Sequence, residues 1–192
     1  MFINSKTIGR FFFALVTALL LIPASVNAAG YGGPYNFGTT PTSIEIATIN
    51  IDAMPDGRGL PDGSGNYAEG KAVYTANCLA CHGPDLAGVK GTGASALIGG
   101  RGSLASGKPK KTVESYWPYA STVFDYVKRA MPFNAPGSLT NDEVYAVVAY
   151  VLGEANILNK SERLNAKTLS KIEMPNKDGF IADSRPDVFN YE

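Results

Sequence analysis

The run Cys78-Leu79-Ala80-Cys81-His82 decides how the rest of this 192-residue chain is read. Two cysteines three positions apart on a helix stand about one turn from each other, and a histidine follows the second directly. This C-x-x-C-H spacing is the attachment signature of a c-type haem: both thiols can add to the two vinyl groups, and the imidazole is then presented to the iron. Two rival readings fit the surroundings less well. A structural zinc site needs four ligands, and the whole chain offers 2 Cys and 1 His. A thioredoxin-like dithiol belongs in a βαβ setting, whereas this run follows a helical pattern and precedes a glycine-rich stretch.

Upstream, residues 67–78 place Gly70, Val73, Tyr74, Asn77 and Cys78 on one helical stripe. Downstream, residues 83–107 are dense in glycine and have no periodicity, which predicts a long loop of the kind that surrounds a bound group. A second helix is expected over 119–130, with Lys128 and Arg129 in its last turn, ending at Met131-Pro132. Thr140-Asn141-Asp142-Glu143 is a capping box, and Val144, Val147, Val148, Val151 and Leu152 continue it as a helix up to Gly153. Residues 29–66 are broken by Gly and Pro, apart from 44–51, whose alternation reads as a short strand or extended segment. Beyond 153 the chain is polar, with a possible short helix near 166–172.

Seventeen basic against seventeen acidic residues argue against a nucleic-acid binder, which would concentrate Lys and Arg. Lys6 and Arg10, the apolar run 11–22 and the small-residue pattern Val26-Asn27-Ala28 read as a signal peptide cleaved near Ala28, so the mature protein is expected in the periplasm. The apolar run is shorter than the roughly 20 residues of a membrane span, although a retained anchor is the alternative. No cysteine follows the cleavage pattern, so nothing suggests a lipid-modified terminus. The expected division is 1–28 leader, 29–66 N-terminal arm, 67–153 haem domain and 154–192 C-terminal wrapping tail.

Gly70…Tyr74 on one helix and Tyr150 on another resemble the crossing of the first and last helices of class I cytochromes c. The resemblance implies a mainly α fold of roughly three to five helices around one covalent haem, here with extended arms at both ends. His82 is the only histidine, so the second iron ligand falls to a methionine, and Met54, Met131 and Met174 all precede proline. Met131 holds the position of the family's ligand; for any of the three, core filling is the alternative. By the same resemblance Pro84 would offer its carbonyl to the His82 ring. Arg101, Tyr116 and Trp117 are candidate donors to the haem propionates. Lys108, Lys110 and Lys111 are either a docking run for an acidic partner or a solvated loop.

Further strings resemble the cytochrome subunit of the periplasmic Sox sulfane dehydrogenase and of related sulfite dehydrogenases: Pro55-Asp56-Gly57, Gly99-Gly100-Arg101-Gly102, Ser115-Tyr116-Trp117-Pro118, Arg129-Ala130-Met131-Pro132-Phe133 and Met174-Pro175-Asn176. Better-known members are longer and carry a second haem domain, whereas this chain has one attachment motif. The resemblance implies a molybdenum-cofactor dehydrogenase of the sulfite-oxidase type as electron donor, and a downstream cytochrome or oxidase. This chain would then be an electron-transfer subunit rather than the catalyst. A haem enzyme or gas sensor with an open iron site, and a general soluble carrier to a terminal oxidase, are the alternatives. Apolar anchors Ile44, Ile46, Ile49, Ile51, Met54 and Leu60 before the haem domain, and Leu164, Leu169, Ile172, Met174 and Phe180 after it, predict that both ends fold back as a docking platform. On that view residues 154–192 are dispensable for haem attachment.

Overall fold

The computed structural model describes residues 38–181; the expected leader, 1–28, lies outside them, as do the start of the arm and residues 182–192. Six helices and two short strands occur among the described residues. The first helix, α1 (Ser43–Ile49), corrects the expectation of an extended segment at 44–51. Its start has a local cause. Thr42 and Glu45 form a reciprocal cap, with Thr42 N donating to Glu45 Oε2 at 2.7 Å and Glu45 N donating to Thr42 Oγ1 at 3.2 Å. That cap favours a helix over the alternation of apolar residues. Ile44, Ile46 and Ile49 are exposed.

From residue 48 onward the chain forms one unit. Strand β1 (Ser64–Asn66) leads directly into α2 (Tyr67–Asn77), where Asn66 and Glu69 make a second capping box. A one-turn helix α3 (Leu79–His82) follows, then the expected long loop, then α4 (Ala120–Ala130) and α5 (Asn141–Glu154). The cap at Thr140 and Glu143 is present as expected. After α5 come β2 (Arg163–Asn165) and α6 (Ala166–Leu169). The strands pair antiparallel, Ser64 opposite Asn165 and Asn66 opposite Arg163.

Helix α5 is the centre of the core, buried continuously from Val144 to Gly153. A helix that is apolar all round must be covered on every side, and four other parts of the chain do this, α4 among them with Phe124 against Tyr145 at 4.5 Å between ring centroids. Helix α2 crosses it at Gly70, where an added Cβ would stand 1.8 Å from the Ala146 carbonyl oxygen. Strand β1 approaches the same residue, a Cβ at Gly65 lying 2.2 Å from Ala146 N. Tyr150 packs between Tyr67 and Tyr74, with ring centroids 5.1 and 5.0 Å away, as the sequence pattern implied. The fourth cover is the tail, whose Leu158, Leu164, Leu169 and Met174 are buried in the same cluster. Arg163 ties the ribbon to α2 by an ion pair of 2.7 Å with Glu69. Residues 155–174 therefore complete the core, with Leu164, Leu169 and Met174 folded back onto it. Met54 is exposed, while Ala53 and Leu60 pack against the core.

Two buried phenols make the fold sensitive to alkali. Tyr74 Oη donates to the Gly83 carbonyl at 2.6 Å, and Tyr145 Oη donates to the Pro61 carbonyl at 2.9 Å. Burial holds both phenols neutral beyond their ordinary range, pushing Tyr145 up to about 12 and Tyr74 higher still. In the unfolded chain they ionise near pH 10. Below that pH neither state loses its protons and the full stability is present; above it only the unfolded chain does, so stability falls as pH rises toward the folded values. Tyrosinate absorbance and loss of helix should therefore rise together above about pH 10. Tyrosines that all titrate near 10 with the helical signal intact would contradict this.

Candidate functional site

The last turn of α2 carries Cys78, whose N–H reaches the Tyr74 carbonyl at 2.8 Å. The chain then tightens into α3: Cys81 N and His82 N both donate to the Cys78 carbonyl, at 3.1 and 2.9 Å. Gly83, at a φ of 77°, ends the turn in a conformation that favours glycine, and the Tyr74 hydroxyl fixes its carbonyl. Local hydrogen bonds thus hold the two thiols one turn apart, as the motif requires. Both are free; Cys78 is half-buried and Cys81 exposed. Burial, with the neighbouring Cys81 thiol adding to it, pushes the Cys78 thiol up to about 11. Dithiol redox sites depend on a lowered thiol pKa, so this environment disfavours the thioredoxin-like reading.

His82 sets its ring by way of the loop. Its Nδ1 lies 3.1 Å from the Ser95 carbonyl oxygen. A carbonyl can only accept, so Nδ1 donates to it, and in the neutral ring Nε2 then keeps the lone pair. The expectation placed this task on Pro84; the carbonyl that stands beside Nδ1 in this structure is that of Ser95. The reason lies in the loop's path. Gly88 N donates to the His82 carbonyl at 2.8 Å and Val89 N to the Cys81 carbonyl at 2.9 Å, so the chain turns back over α3 and brings residue 95 alongside the ring.

Met131 caps the end of α4, its N–H on the Val127 carbonyl at 3.1 Å, and is half-buried. Two residues before it, Arg129 pairs with Asp125 at 2.8 Å and with Asp52, and Ala53 N donates to Asp125 at 3.0 Å. The arm is thereby pinned to α4 close to Met131. The other two methionines have different settings: Met174 is 3% exposed within the core, and Met54 is 42% exposed on the surface. Arg101 is held by Glu114 at 2.7 Å and by the Ala155 carbonyl at 2.7 Å, a clamp between the loop and the tail. Tyr116 meets Phe180 edge-on at 5.3 Å, and Trp117 meets Tyr126 edge-on at 5.5 Å. No hydrogen bond among the described residues joins Arg101, Tyr116 or Trp117 to Cys78, Cys81, His82 or Met131.

The donor set suits a haem. Two free thiols stand a turn apart and one imidazole offers Nε2, while a half-buried thioether is available at Met131. Among the described residues no group of three or more His, Cys, Asp or Glu could hold a metal by itself. Leu97, Ile98, Trp117 and Val127 pack on the core and stay half-buried.

Comparison with known proteins supports the same reading. The chain is 38% identical to a chain in the crystal structure of the sulfane dehydrogenase SoxCD from Paracoccus pantotrophus, with a TM-score of 0.72 over 79% of this chain and 73% of that one. It is 27% identical over 134 residues to a thiosulfate dehydrogenase of Allochromatium vinosum, and 29% identical over 113 residues to one of Stutzerimonas stutzeri. Those matches cover 68% and 58% of this chain but only 38% and 33% of the relatives' own lengths. Residues 67–154, from the first residue of α2 to the last of α5, match the Cytochrome c family model. With its two thiols, its oriented imidazole and this helical frame, the chain belongs to the cytochrome c family.

Proposed function

We propose that the mature chain, released by cleavage near Ala28, is a periplasmic carrier of single electrons with one haem c. Its iron would lie between His82 and Met131, and it would accept electrons from a molybdenum-cofactor dehydrogenase acting on a sulfur compound. The observation that carries the reading is the His82 ring, fixed by Ser95 with Nε2 left for a metal, one residue from a free thiol. When bound, the haem supplies one-electron exchange between ferric and ferrous iron. The chain's own residues tether and tune it. Cys78 and Cys81 would hold it covalently, His82 Nε2 and the Met131 thioether would supply its iron ligands, and a thioether ligand would favour the reduced state. Met174 is committed to the core, which leaves Met131 as the better placed sulfur. Tyr116 and Trp117, both half-buried, are the proposed donors to the haem carboxylates, since Arg101 is already clamped. The likeness to SoxCD supports a sulfur-compound dehydrogenase as the electron donor.

The test is co-expression with haem-attachment machinery, followed by haem staining of a denaturing gel. A stained band at the chain's mass is expected, and Cys78→Ala or Cys81→Ala should lose most of it. Met131→Ala should open the iron to added cyanide or carbon monoxide and lower the potential, with Met54→Ala silent. Reduction of the haem by a sulfite-oxidase-type dehydrogenase and its sulfur substrate then tests the donor. A colourless band would overturn the cofactor. An unchanged spectrum in Met131→Ala would overturn the ligand, and a haem reduced only by small mediators would overturn the proposed donor.

A further inference from the structure

Met131 begins the segment that joins α4 to α5. Residues 133–138 of that segment are exposed, Phe133 at 85%. Their backbone bonds are short-range: Ala135 N donates to the Pro132 carbonyl at 2.9 Å and Ser138 N to the Ala135 carbonyl at 3.3 Å. A stretch so exposed and so locally bonded takes its place from the two helices it joins. Lys128 Nζ donates to the Leu139 carbonyl at 2.9 Å, strapping the last turn of α4 to the residue before the cap of α5. The position of Met131 therefore depends on how the end of α4 is held against α5.

A part of the chain far away in sequence does the holding. At one end of residues 52–65, Arg129 pairs with Asp52, while Asp125, one turn earlier on α4, accepts from Arg129 through Oδ2 at 2.8 Å and from Ala53 N through Oδ1 at 3.0 Å. At the other end the Pro61 carbonyl accepts from Tyr145 Oη at 2.9 Å and the Asp62 carbonyl from Asn141 Nδ2 at 3.1 Å, and Ser64 N donates to Asp142 Oδ1 at 2.7 Å. These three partners all lie in the first two turns of α5.

Between its ends this stretch is not slack. Met54 N donates to the Arg58 carbonyl at 2.8 Å and Gly57 N to the Met54 carbonyl at 2.9 Å, closing a turn. The sides of that turn touch, since a Cβ at Gly59 would stand 1.8 Å from the Asp52 carbonyl oxygen. Residues 52–65 thus form a brace between α4 and α5. A single exposed ion pair contributes little, and Asp52 is exposed. Asp125 is the stronger member, more buried than Arg129 or Asp52 and bonded through both carboxylate oxygens.

Resting on the assignment of Met131 as an iron ligand, we propose that Asp125, Arg129 and Asp52 are positioning residues for it: by bracing the end of α4 to residues 52–65 they keep the Met131 thioether from being displaced. An added ligand can bind only while the thioether is off, so the brace sets how often that happens.

The test mixes oxidised haem-loaded protein with excess cyanide in stopped flow, and records at rest the long-wavelength absorption band of a thioether-bound ferric haem. Asp125→Ala should bind cyanide about tenfold faster than the parent while keeping the band, because the thioether leaves more often yet still rests in place. Asp125→Asn keeps an oxygen for Ala53 N and should return to within about threefold of the parent. Asp52→Ala, at the exposed end, should be about threefold faster than the parent. Two variants serve as controls. Arg58→Ala removes an exposed pair whose partners both lie within the turn, and Glu154→Ala removes the pair with Lys160 at the far end of α5. Both should keep the parent's cyanide rate, whatever they do to its melting midpoint. Asp125→Ala at the parent's rate overturns the proposal, as does Glu154→Ala as fast as Asp125→Ala. If Asp125→Ala does not load haem, Asp52→Ala decides in the same way. Met131→Ala separates this proposal from the assignment beneath it, since it should lack the band and bind cyanide without waiting. If it keeps the parent's band and rate, the ligand assignment falls and the brace with it. If it changes as expected while the brace variants do not, the assignment stands and the brace alone is overturned.

Discussion

A chain ending at Glu154 should fail to form the cooperative fold, although it contains every helix that the family model spans. Leu158, Leu164, Leu169 and Met174 are between 0% and 7% exposed and lie in the cluster built on α5. Burying an apolar side chain of this size contributes about 1.5–3 kcal/mol. Truncation also removes β2, the ion pair of Arg163 with Glu69, and the Ala155 carbonyl that holds Arg101. The cost of ordering the tail disappears with it, so the net loss is smaller than the burial alone. Leu169→Ala isolates one part of the effect: at 0% exposure it should cost about 2–5 kcal/mol in chemical denaturation. A truncated protein that melts within a few degrees of the full chain would show that the core closes without its tail.

Gly70→Ala should destabilise the protein even though alanine is the better helix former. The new methyl would stand 1.8 Å from the Ala146 carbonyl oxygen, 2.5 Å from its carbon and 2.8 Å from the Tyr150 Cβ. Two of these are backbone atoms that no side-chain rotation can move, so the helices must separate. Overpacking of this kind costs about 1–3 kcal/mol and more where backbone must shift, against a propensity gain of about 1 kcal/mol. A net loss of about 1–2 kcal/mol is expected, and more if the helix backbones must separate, measured by the denaturant midpoint. Lys71→Ala, one position along on the exposed side of α2, serves as the control and should be nearly silent. A Gly70→Ala chain as stable as its parent would place the glycine at an open surface instead of a helix crossing.

What could be read from the sequence was what short-range chemistry determines. The C-x-x-C-H run, the capping box at Thr140, and the stripe through Gly70 and Tyr74 each depend on residues within a turn or two of one another, and each is present in the structure. The helix α1 depends on the same kind of local cap, Thr42 with Glu45, while the alternation of Ile44, Ile46, Ile49 and Ile51 points to an extended segment instead. What the sequence leaves unread concerns distant parts of the chain. The β1–β2 ribbon joins segments roughly a hundred positions apart, and Gly63 and Gly65 read as loop breakers because the reason for Gly65 is Ala146 on another element. Ser95 has no distinguishing signal in sequence; only the fold-back of the loop onto α3 brings its carbonyl to the His82 ring. Arg101 looked available for a bound carboxylate, and its partners Glu114 and Ala155 became visible only in three dimensions.

The convergence of Gly65 and Gly70 on Ala146 also orders events in time. The ribosome finishes α2 and α3 well before it makes α5, and makes β2 later still. Until Ala146 arrives, neither glycine has a surface to close against, and until Leu164 and Leu169 arrive the other side of α5 is uncovered. The contacts that complete the core are thus long-range ones, which form slowly and late. The turn from Cys78 to His82 is held by bonds to its immediate neighbours and needs none of them. Until the C-terminal third of the chain has folded onto α5, this turn is a locally held segment beside an open core, and Cys78, half-buried in the finished fold, is most accessible then.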